Sequence, residues 1–153
     1  MIRLFDEHKI RHIQLLDGAW KFAVDPEGIG ESDGWQNGIP SCETVTVPSV
    51  WNTMWGLLEY EGAAFYEREF YTKGGTLRFV FGAVMTEATV WIDGELLGSH
   101  YGGFCQFELI KRGVTEGTHM LLSQSAGARR TENASGGPFF MVFQYYYICN
   151  DKC

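Results

Sequence analysis

The amino-acid sequence predicts an all-β sandwich of the jelly-roll kind, and three observations support this prediction. Short alternating or apolar segments are separated by turn residues about every eight to twelve positions. No segment of any length shows the period of about 3.6 residues that marks an amphipathic helix. The chain also contains 11 Phe, 7 Tyr and 5 Trp, and aromatic residues favour strands and the packing between two sheets.

Turn residues separate two predicted strands in the first third of the chain. Residues 19–24 lie between Asp17-Gly18 and Asp25-Pro26-Glu27-Gly28, where Pro fixes its own φ and Gly allows a positive φ. Residues 43–47 run into Pro48, which cannot donate to a ladder, so we expect an edge strand there. The glycine-rich, polar residues 28–40 between the two strands predict a loop.

Further strands are predicted between residues 64 and 109. They cover residues 64–72, a segment with Leu77, Phe79 and Phe81 on one face, and then 88–92, 96–100 and 104–109. The hairpin at Asp93-Gly94 is a strong signal, because Asp-Gly accepts the positive φ angles of a type I′ turn. We assign Trp20 and Trp91 to the core and expect Trp35 to anchor its loop to the sandwich.

Length and composition fit an ordinary globular protein. With 153 residues, 45% of them apolar, we expect residues 1–153 to form a single β-sandwich domain. A net charge of −7 and the lack of a Lys/Arg cluster argue against a nucleic-acid partner. The first residues lack the apolar core of a signal peptide, and no apolar run approaches the ~20 residues of a membrane span. These features predict a soluble, cytoplasmic protein with no membrane partner.

Neither the cysteines nor the histidines follow a metal-binding pattern. The chain has four of each: Cys42, Cys105, Cys149 and Cys153, and His8, His12, His100 and His119. No CxxC pair occurs, and no two histidines share a predicted strand face, so we expect no metal. Phosphate-loop and dinucleotide fingerprints are also missing, so we expect no cofactor. A disulfide between Cys149 and Cys153 is an alternative, but free thiols fit better a chain without a secretion signal.

Four motifs follow one another between residues 14 and 117. They are LDGAWKF at 16–22, VPSVWN at 47–52, YEG with FYEREF at 60–70, and a run from 81 to 104 that contains ATVWIDG and LGSHYGGF. In order and spacing they resemble the N-terminal sugar-binding domain of glycoside hydrolase family 2, on its β-glucuronidase side. The resemblance implies a jelly-roll, galactose-binding-like sandwich, and it places the family's two catalytic glutamates in a following barrel.

Residues 135–153 depart from the family pattern. The family continues into an aromatic-Phe-Asn-Tyr-Gly-Gly segment that reaches toward the active site, whereas this chain has PFFMVFQYYY at 138–147. We interpret this atypical tail as a frameshift or degraded gene end, or as a substitute strand, because its composition favours β structure. Left exposed, residues Phe139 to Ile148 would favour self-association, which is one route to a homo-oligomer.

Two pairs of glutamates have the i, i+2 spacing that places side chains on one strand face: Glu59 with Glu61, and Glu67 with Glu69. A retaining glycosidase uses two carboxyl groups about 5–5.5 Å apart, one as acid and one as nucleophile. A solvated sheet face or rim is the better interpretation of these pairs, because the resemblance places the catalytic glutamates elsewhere. We therefore predict no catalytic residue in this chain.

The best candidate for ligand contact is the long aromatic loop at residues 50–62. Trp51, Trp55 and Tyr60 predict a platform on which a pyranose ring could stack, with Asn52 and Glu61 bonding to hydroxyls. We take Asn52, Trp55, Tyr60 and Glu61 as candidate substrate-binding residues. The alternative is that these aromatic rings pack inside the loop or against a neighbouring domain.

Three functional hypotheses remain open from the sequence. The first is a non-catalytic N-terminal domain of a β-glucuronidase-like or β-galactosidase-like hydrolase, cut off before its immunoglobulin-like and barrel domains. Its partners would be a glucuronide or galactoside and those missing domains. The second is a stand-alone, lectin-like carbohydrate-binding module. The third is an interaction module or non-functional fragment that associates through its C-terminal tail.

Overall fold

The computed structural model describes residues 11–40, 43–126 and 146–151. Within these ranges the chain forms ten β-strands and no α-helix. The strands are β1 (Arg11–Leu15), β2 (Gly18–Asp25), β3 (Glu43–Val47), β4 (Ala63–Thr72), β5 (Gly75–Phe81), β6 (Glu87–Ile92), β7 (Glu95–Tyr101), β8 (Phe107–Val114), β9 (Gly117–Ala126) and β10 (Tyr146–Asp151). Short 3₁₀ turns occupy Trp35–Asn37 and Trp51–Thr53.

The strands form two antiparallel sheets that pack face to face. The six-stranded sheet has the order β3-β2-β4-β9-β6-β7, and the four-stranded sheet has the order β1-β10-β5-β8. This arrangement confirms the predicted all-β jelly-roll sandwich. As Pro48 indicates, β3 lies at an edge. The predicted turn at Asp93-Gly94 is also present, with φ angles of 51° and 81°, as a type I′ turn requires.

The sequence does not predict β9, although this strand lies in the middle of the six-stranded sheet between β4 and β6. Leu121, Leu122, Ser123 and Ser125 on this strand are all completely buried. Because both faces of β9 are covered, the strand has no polar–apolar alternation, and its serines resemble loop residues in the sequence. The position of β9 in the sheet therefore depends on its pairing with β4 and β6, which a local sequence pattern does not show.

The main hydrophobic core lies between the sheets and is largely aromatic. Phe22 meets Tyr66 edge-on at 5.0 Å between ring centroids, and Phe70 meets Phe79 in the same way at 5.6 Å. Trp20 is 1% exposed, and its indole nitrogen donates to the Leu16 carbonyl at 2.7 Å. The predicted inward face of β5, with Leu77, Phe79 and Phe81, is fully buried.

A second hydrophobic cluster lies on the outer face of the six-stranded sheet. Phe65, Trp91 and Leu122 are buried there beneath Ile39 and Trp35 of the loop that follows β2. The Trp35 ring meets the Phe65 ring edge-on at 5.2 Å, so Trp35 anchors this loop to the sandwich as expected. The assignment of Trp91 to the core also holds, since this residue is 6% exposed.

The same loop overturns the expectation that Glu67 lies on a solvated face. Glu67 is only 4% exposed. One carboxylate oxygen accepts a bond from Lys21 Nζ at 2.7 Å, and the other accepts the Ile39 backbone N–H at 2.8 Å. Glu69, two residues along β4, is exposed. Glu67 therefore fastens the loop to the sheet, because it offers an acceptor to a buried backbone donor.

The last described strand, β10, lies inside the four-stranded sheet. Its residue Tyr147 is opposite Leu15 of β1 on one side and Val80 of β5 on the other. Of the segment predicted to self-associate, residues 139–145 lie outside the described residues. Tyr147 and Ile148 pair with both β1 and β5, so their backbone offers no free edge to another copy.

Cys105 is an exposed free thiol, and the side chains of Cys42, Cys149 and Cys153 lie outside the described part of the chain. Across the described ranges, no group of three or more His, Cys, Asp or Glu side chains could hold a metal ion. Nor does this part of the structure contain a helix long and apolar enough to cross a membrane.

Candidate functional site: the aromatic loop at residues 50–62

The aromatic loop at residues 50–62 leaves one end of the sandwich, where several strand connections meet. Ala63, the first residue of β4, is opposite Ala126 at the end of β9. Ala126 is opposite Glu87 at the start of β6, which in turn is opposite Tyr101 at the end of β7. The β5–β6 and β7–β8 connections therefore emerge at the same end as the aromatic loop. We call this end the loop end of the sandwich.

Asn52 organises the loop from within. Its side-chain amide donates to the carbonyl oxygens of Leu57 at 3.2 Å and Leu58 at 3.0 Å. Asn52 is 6% exposed, and among the described residues its amide oxygen has no hydrogen-bond partner. Asn52 thus closes the loop into a compact turn, and both of its amide protons are directed at the protein itself.

Trp51 belongs to the core and is not at the surface. It is 3% exposed, its ring stacks on Tyr66 at 6.5 Å, and it lies 6.3 Å from Phe22. The indole nitrogen donates to the Tyr60 carbonyl at 3.4 Å. The predicted three-ring platform is therefore not formed, because one of its members closes this end of the core.

Tyr60 lies between the core and the surface. Its ring meets Trp51 edge-on at 6.0 Å, and its hydroxyl donates to the Ala63 carbonyl at 2.7 Å. Burial raises the pKa of Tyr60 to about 12. The hydroxyl consequently stays protonated at neutral pH, and it supports the loop with its one donated bond.

Trp55 and Leu58 are the apolar side chains that the loop presents to the outside. Trp55 is fully exposed, at 102% of its reference area, and Leu58 is 69% exposed. Glu59 and Glu61 beside them are also exposed. Large apolar side chains clustered on a surface often mark a contact site. Of the four candidate residues, then, Trp55 and Glu61 face outward, whereas Asn52 and Tyr60 build the loop.

Sequence reasoning missed a second exposed aromatic segment at the loop end. Tyr101 and Phe104, which flank Gly102-Gly103, are 76% and 88% exposed. The sequence predicted a strand beginning at Phe104, whereas β8 begins at Phe107. The bend is held by a bond from the Gly102 N–H to the Thr86 carbonyl at 2.7 Å. The Gly-Gly pair was the available signal, since glycine permits the φ of 131° that Gly102 adopts.

The role of Asn52 leads to a stability prediction. Asn52→Ala removes two bonds to carbonyls, and we expect it to lower the free energy of unfolding by about 1–2 kcal/mol. Asn52→Asp should lower it further, because a carboxylate would replace a donor that faces two carbonyl oxygens. Urea denaturation of the three proteins measures both effects. An Asn52→Asp protein as stable as wild type would contradict this role.

No known family model matches the chain, but curated proteins do. The chain is 31% identical over 107 residues to a β-glucuronidase of Paenibacillus borealis, which covers 64% of this chain and 18% of the relative. It is 28% identical over 109 residues to a β-glucuronidase of Streptococcus agalactiae, which covers 67% of this chain and 17% of the relative. The chain thus spans less than a fifth of the length of either enzyme.

Solved structures show the same fold. A β-glucuronidase from Ruminococcus gnavus in complex with D-glucuronic acid matches with a TM-score of 0.83 and 24% identity, over 95% of this chain and 30% of that chain. The same enzyme in complex with an N1-substituted uronic isofagomine matches with a TM-score of 0.80 and 26% identity. In its motifs, its relatives and its fold, the chain resembles the N-terminal domain of glycoside hydrolase family 2, on the β-glucuronidase side.

Proposed function

We propose that this chain is a non-catalytic N-terminal domain of a β-glucuronidase-like or β-galactosidase-like glycoside hydrolase, which takes part in carbohydrate metabolism without containing the catalytic barrel. The observation that carries the proposal is the unequal coverage of the match. About two-thirds of this chain aligns with β-glucuronidases, yet it corresponds to less than a fifth of their length. In this proposal residues 1–153 constitute one β-sandwich domain.

The glutamate pair on β4 supports a non-catalytic role. Retaining hydrolysis needs two carboxyl groups that face one sugar about 5–5.5 Å apart. Of the pair on β4, Glu67 is buried and bonded to Lys21 and to the Ile39 N–H, and Glu69 is exposed. A carboxylate that is already held by two donors beneath a loop has no access to a substrate.

In this proposal the loop end contacts the rest of the enzyme and the rim of its sugar pocket. Trp55, Leu58 and Phe104 expose apolar surface there that no described part of the chain covers. The carbohydrate would be of the glucuronide or galactoside class, since a structurally similar enzyme was solved with D-glucuronic acid. Trp55 and Glu61 are exposed and would contact such a ligand, and Asn52 and Tyr60 would hold the loop that carries them.

The exposed indole of Trp55 favours one second function, a stand-alone lectin-like module. An exposed aromatic plane can stack on the C–H face of a pyranose without help from another domain. The two functions differ in what the chain does alone. A lectin-like module binds a glycan by itself, whereas an accessory domain acts only when it is joined to its enzyme.

A chimaeric enzyme tests the proposal. The matching region of the Ruminococcus gnavus β-glucuronidase would be replaced by this chain, and p-nitrophenyl β-D-glucuronide hydrolysis would be measured. We expect the chimaera to be active and the chain alone to be inactive. Trp55→Ala in the chimaera should lower kcat/KM roughly tenfold, the size expected for one aromatic contact. Leu58→Ala should lower it less, and Leu96→Ala, a matched exposed leucine on β7, should leave it unchanged.

Other outcomes would contradict the proposal. Hydrolysis of the glucuronide by the chain alone would show that it is catalytic. Saturable binding of D-glucuronic acid to the chain alone in titration calorimetry, abolished by Trp55→Ala, would favour the lectin-like module. A folded chimaera without activity would refute the accessory role.

A further inference from the structure

A cluster of polar groups lies at the end of the sandwich opposite the loop end. His119, near the start of β9, lies between the β6–β7 turn at Asp93-Gly94 and the β8–β9 turn at Thr115-Glu116. The His119 side chain is only 11% exposed. One face of its ring is near the Phe70 ring, at 5.8 Å between centroids.

Both nitrogens of the His119 ring face acceptors. Nδ1 lies 2.6 Å from the Asp93 Oδ2 atom, and Nε2 lies 2.9 Å from the Thr115 carbonyl oxygen. A carbonyl oxygen can only accept, and an ionised carboxylate can only accept. Neutral imidazole carries one N–H, so both contacts are hydrogen bonds only when the ring is a doubly protonated imidazolium.

Asp93 connects this ring to the backbone of the next residue along β9. Its second carboxylate oxygen accepts the Met120 N–H at 2.8 Å, and its own N–H donates to the Met120 carbonyl at 2.9 Å. Asp93 has a φ of 51°, which the turn requires, and the bond from the Met120 N–H orients its carboxylate. The His119 ring therefore has a carboxylate beside Nδ1 and a backbone carbonyl beside Nε2.

Several other titratable groups on the surrounding strands and turns have partners of their own or lie on another strand face. Tyr71 on β4 donates to Glu116 of the β8–β9 turn at 2.7 Å. Glu95 of β7 pairs with Lys111 of β8 at 2.6 Å. Glu69 on β4 lies on the opposite strand face from Phe70 and is exposed. Asp93 is thus the carboxylate bonded to the His119 ring.

We propose that His119 is a proton-dependent tie that joins the β6–β7 turn to the β8–β9 turn and releases the latter when the ring loses a proton. In the neutral ring, with Nδ1–H retained on Asp93, the Nε2 lone pair faces the Thr115 oxygen. That contact is repulsive, so the β8–β9 turn moves away from the ring.

The pKa of His119 is raised above 6.5, first by the hydrogen bond to Asp93, while partial burial acts in the opposite direction and the Thr115 carbonyl adds to the increase. A pKa that is higher in the folded state than in the unfolded state stabilises the fold when the group is protonated. The stabilisation by the tie is therefore complete below about pH 6.5 and is lost as pH rises through the folded-state pKa.

A titration of the full wild-type chain, followed by ¹H–¹³C and ¹H–¹⁵N NMR, tests the tie directly. The His119 ring signals, assigned by their loss in His119→Gln, should report a pKa above 6.5 and both nitrogens protonated at pH 6. The Thr115 to Thr118 amide signals should shift along the same titration curve. A His119 pKa at or below 6.5, or amides that do not follow it, would overturn the proposal.

Two variants separate a titrating tie from simple packing. Asp93→Asn keeps the shape of the turn but removes the anion, and it should lower the His119 pKa relative to wild type. The difference in Tm between wild type and His119→Gln should be largest near pH 6 and should shrink toward pH 9. A difference that is equal at every pH would show that His119 only fills space.

Discussion

Trp51→Ala is expected to lower the free energy of unfolding by about 3–5 kcal/mol, the range for truncating a buried aromatic residue. Trp51 is 3% exposed and packs against Phe22 and Tyr66, so its removal leaves a cavity at one end of the core. Trp55→Ala, four residues away, should change this free energy by less than about 0.5 kcal/mol, because Trp55 is fully exposed.

Urea denaturation followed by circular dichroism measures both free energies, with Trp55→Ala as the matched control. Comparing Trp51→Ala with Trp55→Ala distinguishes a core tryptophan from a surface tryptophan, which the sequence of this loop could not do. If both variants lowered the free energy of unfolding equally, Trp55 would also be packed against the protein. A Trp51→Ala protein as stable as wild type would mean that the loop, and not the core, holds this ring.

Glu67→Ala is expected to lower the free energy of unfolding by about 2–3 kcal/mol, because a hydrogen bond to a charged group is lost and the donor remains buried. The donor left without an acceptor is the Ile39 N–H. Ile39 is part of the cluster that covers Phe65 and Trp91. The loop after β2 should therefore loosen before the rest of the sandwich unfolds.

Two further variants show how much of this loss in unfolding free energy comes from the Glu67 bond to Lys21 and how much from its bond to the Ile39 N–H. Glu67→Gln keeps an acceptor for the Ile39 N–H but has no charge for Lys21, and its loss should be smaller than that of Glu67→Ala. Lys21→Met should lower the free energy of unfolding by less than about 1 kcal/mol, since the Lys21 side chain is 53% exposed. Hydrogen exchange at Ile39 follows the loop directly. An unchanged Ile39 exchange rate in Glu67→Ala would contradict the fastening role.

Local signals in the sequence predicted much of the fold. Asp93-Gly94 forms the predicted turn, and Pro48 follows an edge strand. Both features depend on the backbone preferences of one or two residues, which act within the segment itself. The fold class was predictable for the same reason, because repeated strands and turns leave few alternatives to a sandwich.

The candidate site was predicted less completely. Residues 50–62 do form an aromatic loop at one end of the sandwich, as their composition indicated, and their role in ligand contact stays a prediction. Its sequence has no clean period, however, and so could not show that Trp51 points into the core while Trp55 points outward. The exposed Phe104 was assigned to a strand, because an apolar residue after Gly-Gly matches a strand start as well as a bend.

Local patterns in the amino-acid sequence were enough to predict the fold class, most of the strands and the resemblance to glycoside hydrolase family 2. The tertiary structure alone decided that Glu67 is buried, that β9 and β10 lie inside their sheets and that His119 meets Asp93. Each of these features depends on contact between residues far apart in the chain. Turn and strand preferences are local, whereas burial and proton binding depend on which distant groups the folded chain brings within a few ångströms.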